Sequence, residues 1–284
     1  KSQNPRRNFP PKPMKTARSW AATAALALAT APLHAQNTGE PPLFLEDKSA
    51  WFPFVIPSLA LEKNAPKAPI DLSFLSPDVA GKHGFLRARG EKIVDGRGKI
   101  TPLFGTNICD WHVMPPRELA LPIAKRLKQL GVNFIRLHYF DYENAPNGIF
   151  NDDFTTINPE KLAQMDWLIF QLKQHGIYVD LNLKVARRYP DMPADWDWMG
   201  KSLDRVDRRL IDLQKQFARD LLTHVNPHTG VAYKDEPAIA VVEINNENSI
   251  LQTGTGMWFK FAGLDERFSL PIRTKWNAWL QKRY

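Results

Sequence analysis

One cysteine, Cys109, stands in 284 residues, which excludes an internal disulfide framework in any compartment. Long apolar runs are also missing: the Ala-rich stretch from Trp20 to Leu33 falls short of the roughly 18 to 20 residues that span a bilayer. No strand-like segment is followed by a Gly-rich loop, so the phosphate cradle of the nucleotide-binding open sheet is excluded. His, Asp and Glu nowhere fall at metal-ligand spacing, and neither a metal nor another cofactor is expected. Acid is absent from residues 1 to 35, which carry Lys1, Arg6, Arg7, Lys12, Lys15 and Arg18. Those six charges leave only +2 of the net +8 for the rest of the chain. A strongly basic folded surface is thereby excluded, and no nucleic-acid partner is expected.

What is present is an ordinary globular composition, 43% hydrophobic and 11% aromatic, enough for a sizeable core. Four segments differ in character. Residues 1 to 13 are Pro-rich and basic and read as upstream or disordered leader. Residues 14 to 35 read as a secretory signal peptide. Met14 to Arg18 form its charged n-region, Trp20 to Leu33 its apolar core, and Leu33-His34-Ala35 its small-residue cleavage point. Secretion or delivery to a periplasm follows, with no membrane partner after cleavage. Residues 36 to 82 form a Pro-rich extension with apolar islands at 51 to 57 and 70 to 75 but no sustained period, expected to wrap the domain. Residues 83 to 284 carry the periodic segments.

Within these, Phe85 to Arg89 alternates as a strand, and Val94-Asp95-Gly96-Arg97-Gly98 supplies a turn before Ile100 to Phe104, which predicts a hairpin. Gly105 to His112 runs from apolar to polar as a strand leaving a core, and Cys109 is read there as a packed residue rather than a nucleophile. Leu119, Ile123, Leu127 and Leu130 mark a helix ending at Gly131, and Pro122 places its start near Leu119. A strand over 132 to 138 follows. Asn158-Pro159 opens a second helix, with Leu162, Met165, Ile169 and Leu172 on its buried face up to Gly176. Next come a strand over 177 to 183, a Trp-containing loop, and a helix marked by Val206, Leu210, Leu213, Phe217 and Leu221. Val241 to Asn248 then forms a strand that ends in amides and carboxylates. Strand and helix alternate with connections long enough for crossovers, which predicts an α/β fold with a parallel sheet. A barrel and an open sheet both fit that pattern.

Polar residues gather at four strand ends: Asn107, Asp110, Trp111 and His112; Arg136, His138 and Asp141; Asn182 and Lys184; Asn246 and Glu247. Such clustering at the C-terminal ends of parallel strands is how barrel active sites are built. The run Asn133-Phe134-Ile135-Arg136-Leu137-His138, the Leu181-Asn182-Leu183 strand and the Asn246-Glu247 pair resemble clan A of the glycoside hydrolases, near family 5, the cellulases and mannanases. The resemblance runs from about Phe85 onward, and it implies a (β/α)8 barrel.

It implies that Glu247 is the general acid/base of a retaining mechanism on a β-linked poly- or oligosaccharide. Asn246 would contact the 2-hydroxyl of the sugar, and Arg136 would support the nucleophile. His138, Trp111, His112, Asn182, Trp196 and Trp198 would line the substrate site. Lys184 departs from the resemblance, standing where relatives often have histidine. Plainer roles compete: Glu247 as a cap, Arg136 as an ion-pair partner of Glu243, His138 as a satisfied core histidine, and the tryptophans as packing. An acid of this kind keeps its proton through partial burial and a neighbouring carboxylate.

The family nucleophile lies at the end of a seventh strand. Only Asp265 and Glu266 follow Glu247, and Asn246 stands 38 residues from Tyr284, whereas an eight-stranded barrel takes about 250 residues. The expectation is a barrel truncated after about its fourth β/α unit, inactive as it stands. A carbohydrate-binding, catalytically inactive homologue is the alternative.

Overall fold

The protein is described from a computed structural model covering residues 71–190, 203–205, 207–247 and 266–284. The leader, the signal peptide, most of the extension, Trp196 and Trp198 lie outside the described residues.

A four-stranded parallel sheet organises the domain. Its strands are β3 (Gly105–Cys109), β4 (Phe134–His138), β5 (Tyr178–Asn182) and β8 (Ile239–Glu243), side by side in that order. Helix α1 (Arg117–Gln129) connects β3 to β4, and α2 (Pro159–Gln174) connects β4 to β5. Between β5 and β8 come α3 (Arg208–Thr223) and a small antiparallel pair, β6 (Val225–Asn226) with β7 (Val231–Ala232). Helix α4 (Glu266–Arg283) follows β8, with Ile272 packed against the small apolar cluster of Tyr189, Leu203 and Leu210.

Alternation within the strands assigns the two faces of the sheet. Ile135 and Leu137 of β4, and Val179 and Leu181 of β5, are fully buried beneath the helices among Met165, Ile169, Leu172, Phe217 and Leu221. Side chains of opposite parity stand on the other face. The ladder sets Asn107, Arg136, Asp180 and Val241 in one row and Cys109 beside His138, with Asn182 beside Glu243, in the next. A register shift between Val179 and Asp180 brings Val241 rather than Ala240 opposite Asp180. One face is therefore hydrocarbon and the other carries charge, an asymmetry that a parallel sheet covered on both sides by helices lacks.

Helix ends follow their sequence signals. Asn158 Oδ1 accepts the N–H groups of Glu160 and Lys161 with Pro159 in the first turn, and Asp207 caps α3 in the same manner. Gly131 and Gly176 stand just past α1 and α2 at φ +76 and +77, the left-handed conformation that ends helices and favours glycine. The extension packs on both: a Cβ at Gly131 would meet Leu72, and one at Gly176 would meet the carbonyl of Asp78 at 2.6 Å. Leu72 donates its N–H to Gln129 O and Ala80 to Lys173 O, both 2.9 Å, so this stretch satisfies carbonyls that the helix ends leave open.

Three local expectations change. Helix α1 begins at Arg117, which puts Pro122 inside it; Ala120 and Ala124 are its buried residues, and Leu119 is 47% exposed. Ile123 and Leu127 of the expected stripe pack against the core, so the leucine spacing holds in part, but it passes over the fully buried alanines. The first hairpin turns at Gly90–Glu91, pairing β1 (Arg87–Arg89) with β2 (Lys92–Val94), while the turn at 95–98 supports one further bridge, Val94 to Ile100. Finally, β8 ends at Glu243, so the segment to Glu247 leaves the strand before the acid is reached.

Candidate active site

The polar positions stand on one face of the sheet, from the middle of its strands to their C-terminal edge. Arg136 on β4 is the hub: its Nε donates to Glu243 Oε2 and its Nη2 to Glu243 Oε1, both at 2.7 Å, and Nη2 also reaches Asn246 Oδ1 at 2.8 Å. This two-point contact suits a planar guanidinium and fixes both partners in direction as well as distance. The Glu243 bond raises the Arg136 pKa further, so the guanidinium stays charged. The amide oxygen of Asn246 faces Arg136, which turns its Nδ2 away from the guanidinium.

Asp180 on β5 lies beneath this pair. Its Oδ2 is 4.0 Å from Arg136 Nε, and its buried Oδ1 has no hydrogen-bond partner. Burial and then the charge of Glu243 push its pKa up to about 6 against the opposing pull of Arg136. The β4–β5 junction is closed by His138 Nδ1 and Asn182 Oδ1, 3.1 Å apart. Burial and then the Arg136 charge press the His138 pKa below its usual range, which favours a neutral ring donating from Nδ1 and leaves Nε2 as an acceptor.

Glu247 follows Asn246 with φ 47, in the left-handed region. Asp110 after β3 (φ 57) and Tyr139 after β4 (φ 65) share that conformation. Non-glycine residues seldom adopt it, and it gathers at functional edges. Glu247 is exposed, so the partial burial expected of it is not found among the described residues. Trp111 is 48% exposed and stacks on His112 with ring centroids 3.7 Å apart, and His112 Nδ1 approaches Cys109 O at 3.2 Å. That platform lies beyond β3, one strand along from the Arg136 hub. Cys109 is half-buried, with its thiol pKa raised by burial and by Asp110, in keeping with a packed residue.

Sequence reasoning passed over Asp180, although it shares the parity of Asn182 on one strand. It also did not foresee that Lys184 would be wholly buried against Asp204. Among the described residues no cluster of His, Cys, Asp and Glu is arranged to hold a metal ion, and no helix is long and apolar enough to cross a membrane. A cleft of about 320 Å³ bordered by Asp78, His83, Asp95 and Tyr178 opens at the N-terminal end of the sheet, away from the polar edge.

No family model matches the chain. A putative mannan endo-1,4-beta-mannosidase 9 of Oryza sativa subsp. japonica is 27% identical over 188 residues, 57% of this chain and 42% of that protein. Mannan endo-1,4-beta-mannosidase 4 of the same plant is 27% identical over 198 residues, 63% and 41%. The chain thus spans less than half the length of these relatives. Among solved structures, the endo-1,4-beta-mannanase of Rhizomucor miehei superposes with a TM-score of 0.49 at 24% identity, covering 60% of this chain and 50% of that one. A glycoside hydrolase family 5 mannosidase of the same fungus gives 0.47 at 13% identity, covering 66% and 54%. In sequence, this protein resembles the mannan endo-1,4-beta-mannosidases.

Proposed function

We propose that the chain carries the acid/base half of an exported, retaining glycoside hydrolase acting on a β-1,4-linked mannan, on a (β/α)8 barrel whose first four strands are β3, β4, β5 and β8. The observation that carries this reading is the Arg136–Glu243–Asn246 network at the C-terminal edge of a parallel sheet, with Glu247 next in the chain. The substrate class comes from the two rice mannosidases, and export from the signal peptide read at 14 to 35.

In this mechanism Glu247 protonates the glycosidic oxygen as the bond to the anomeric carbon breaks. A second carboxylate, roughly 5 to 5.5 Å from the first, attacks that carbon from the opposite side. Glu247, now ionised, then takes a proton from the water that releases the sugar. Asn246, oriented by Arg136, holds the 2-hydroxyl, and Trp111 offers a ring face to a neighbouring sugar. None of the described carboxylates is assigned as the nucleophile: Glu243 is held by two nitrogens of Arg136, and Asp180 lies buried below it. Turnover accordingly requires a carboxylate from outside the described residues.

The exposure of Glu247 favours a second reading, a sugar-binding homologue without catalysis. Incubating the complete protein with β-1,4-mannooligosaccharides and following the anomeric proton by NMR separates the two. The proposal expects β-product first, whereas α-product first would exclude retention. Binding without hydrolysis would establish the second reading.

A further inference from the structure

We propose that Lys184 is a positioning residue for Glu247, acting through its own backbone carbonyl and held in place by a buried ion pair with Asp204. Lys184 lies two residues past β5 and is fully buried, with its ammonium against Asp204 Oδ2. The same carboxylate oxygen accepts the Tyr189 hydroxyl at 2.7 Å. A buried ion pair stabilises a fold no better than apolar side chains of the same volume, because desolvation offsets the attraction. What it adds at this position is a fixed direction for the main chain.

That main chain is held from a second side. Asp141, buried three residues past β4, accepts the Val185 N–H at 2.8 Å. With the Lys184 side chain drawn to Asp204 and the next amide, that of Val185, drawn to Asp141, the Lys184 carbonyl points toward the neighbouring strand. There it accepts the Asn246 N–H at 2.9 Å, just after Leu183 N–H meets Glu243 O at 2.8 Å. These two bonds carry the β5–β8 ladder past the end of β8 and bracket Ile244 and Asn245. Lys184 O therefore anchors the backbone one residue before Glu247 takes up its left-handed conformation. Asn246 is gripped twice, by Lys184 at its amide and by Arg136 at its side chain.

This inference rests on the reading of Glu247 as proton donor, and two readouts on the complete protein separate its failure from failure of that reading. The variant is the neutral pair Lys184→Met with Asp204→Asn, which removes both charges and nearly keeps the shape. Hydrogen exchange at Asn246 is expected to rise about tenfold while α2 and β5 stay protected. Hydrolysis of a β-mannoside with a poor leaving group is expected to fall about 30-fold, against less than about threefold for a dinitrophenyl mannoside, since displacement of an acid by about 1 Å has effects of that order. A folded neutral pair with unchanged exchange at Asn246, or with both substrates slowed equally, would overturn the proposal. Should the pair not fold, Asp204→Asn alone is expected to move both readouts the same way, and no movement in either would equally overturn it. If Glu247→Gln shows no leaving-group preference, the proton-donor reading falls, and the exchange arm alone decides whether Lys184 sets the segment.

Discussion

Arg136 is the residue on which the site turns, because one guanidinium orients both a carboxylate and an amide. Arg136→Lys keeps the charge but loses the fork, so the Asn246 contact goes and Glu243 is left with a single donor. A loss of about 1 to 2 kcal/mol in urea denaturation is expected, and an unchanged midpoint would show the network to be slack. Asp180 gives the site a pH signature. Its pKa stands at about 6 in the folded chain, above the ordinary carboxylate value near 4. The folded state therefore binds the extra proton between those values, and stability falls as pH rises from about 4 to 6. In Asp180→Asn that segment of the stability–pH curve is expected to flatten, and an unaltered slope would count against the burial assigned to Asp180. Glu247 stores a little backbone strain at φ 47. Glu247→Gly is expected to gain roughly 0.5 kcal/mol in thermal unfolding while losing all proton donation, whereas a less stable variant would show that the side chain supports the fold. The polar strand ends were legible as residue types, and Asp180 was not. Its strand, Tyr178-Val179-Asp180-Leu181-Asn182, reads as a mostly apolar run until the sheet is seen to have one polar face.

At the scale of elements, caps and glycines were the dependable signals because each answers a local demand of the backbone. Asn158 at the start of α2 accepts two N–H groups, and Asn158→Ala is expected to cost about 1 kcal/mol in chemical denaturation. A cost near zero would mean that the helix is held by packing alone. Less legible were the start and buried stripe of α1. Leucine spacing found Ile123 and Leu127, which pack against the core, but pointed to the exposed Leu119 and missed the buried Ala120 and Ala124, since periodicity by bulk overlooks small side chains. The end of β8 was also hidden. Apolar residues continue to Ile244, yet the ladder needs Lys184 to meet Asn246 and the strand stops at Glu243.

For the whole molecule, parallel order was legible because every crossover is long and helical, and the described sheet has β3, β4, β5 and β8 as neighbours in that order. Its hydrocarbon face is covered by helices, while the other face bears Arg136, Asp180 and Glu243, with Arg136 bonded to the residue before Glu247. The proposed reading, a glycoside hydrolase with Glu247 as its proton donor, rests on the polar face and the Arg136 hub. The most direct measurement of that claim is turnover by Glu247→Gln in the complete protein on two substrates that differ only in leaving group. The account predicts hydrolysis of ordinary β-1,4-mannooligosaccharides reduced by at least about 100-fold, with much of the first-step rate retained on a dinitrophenyl mannoside that needs no protonation. Undiminished hydrolysis of the ordinary oligosaccharides would contradict it.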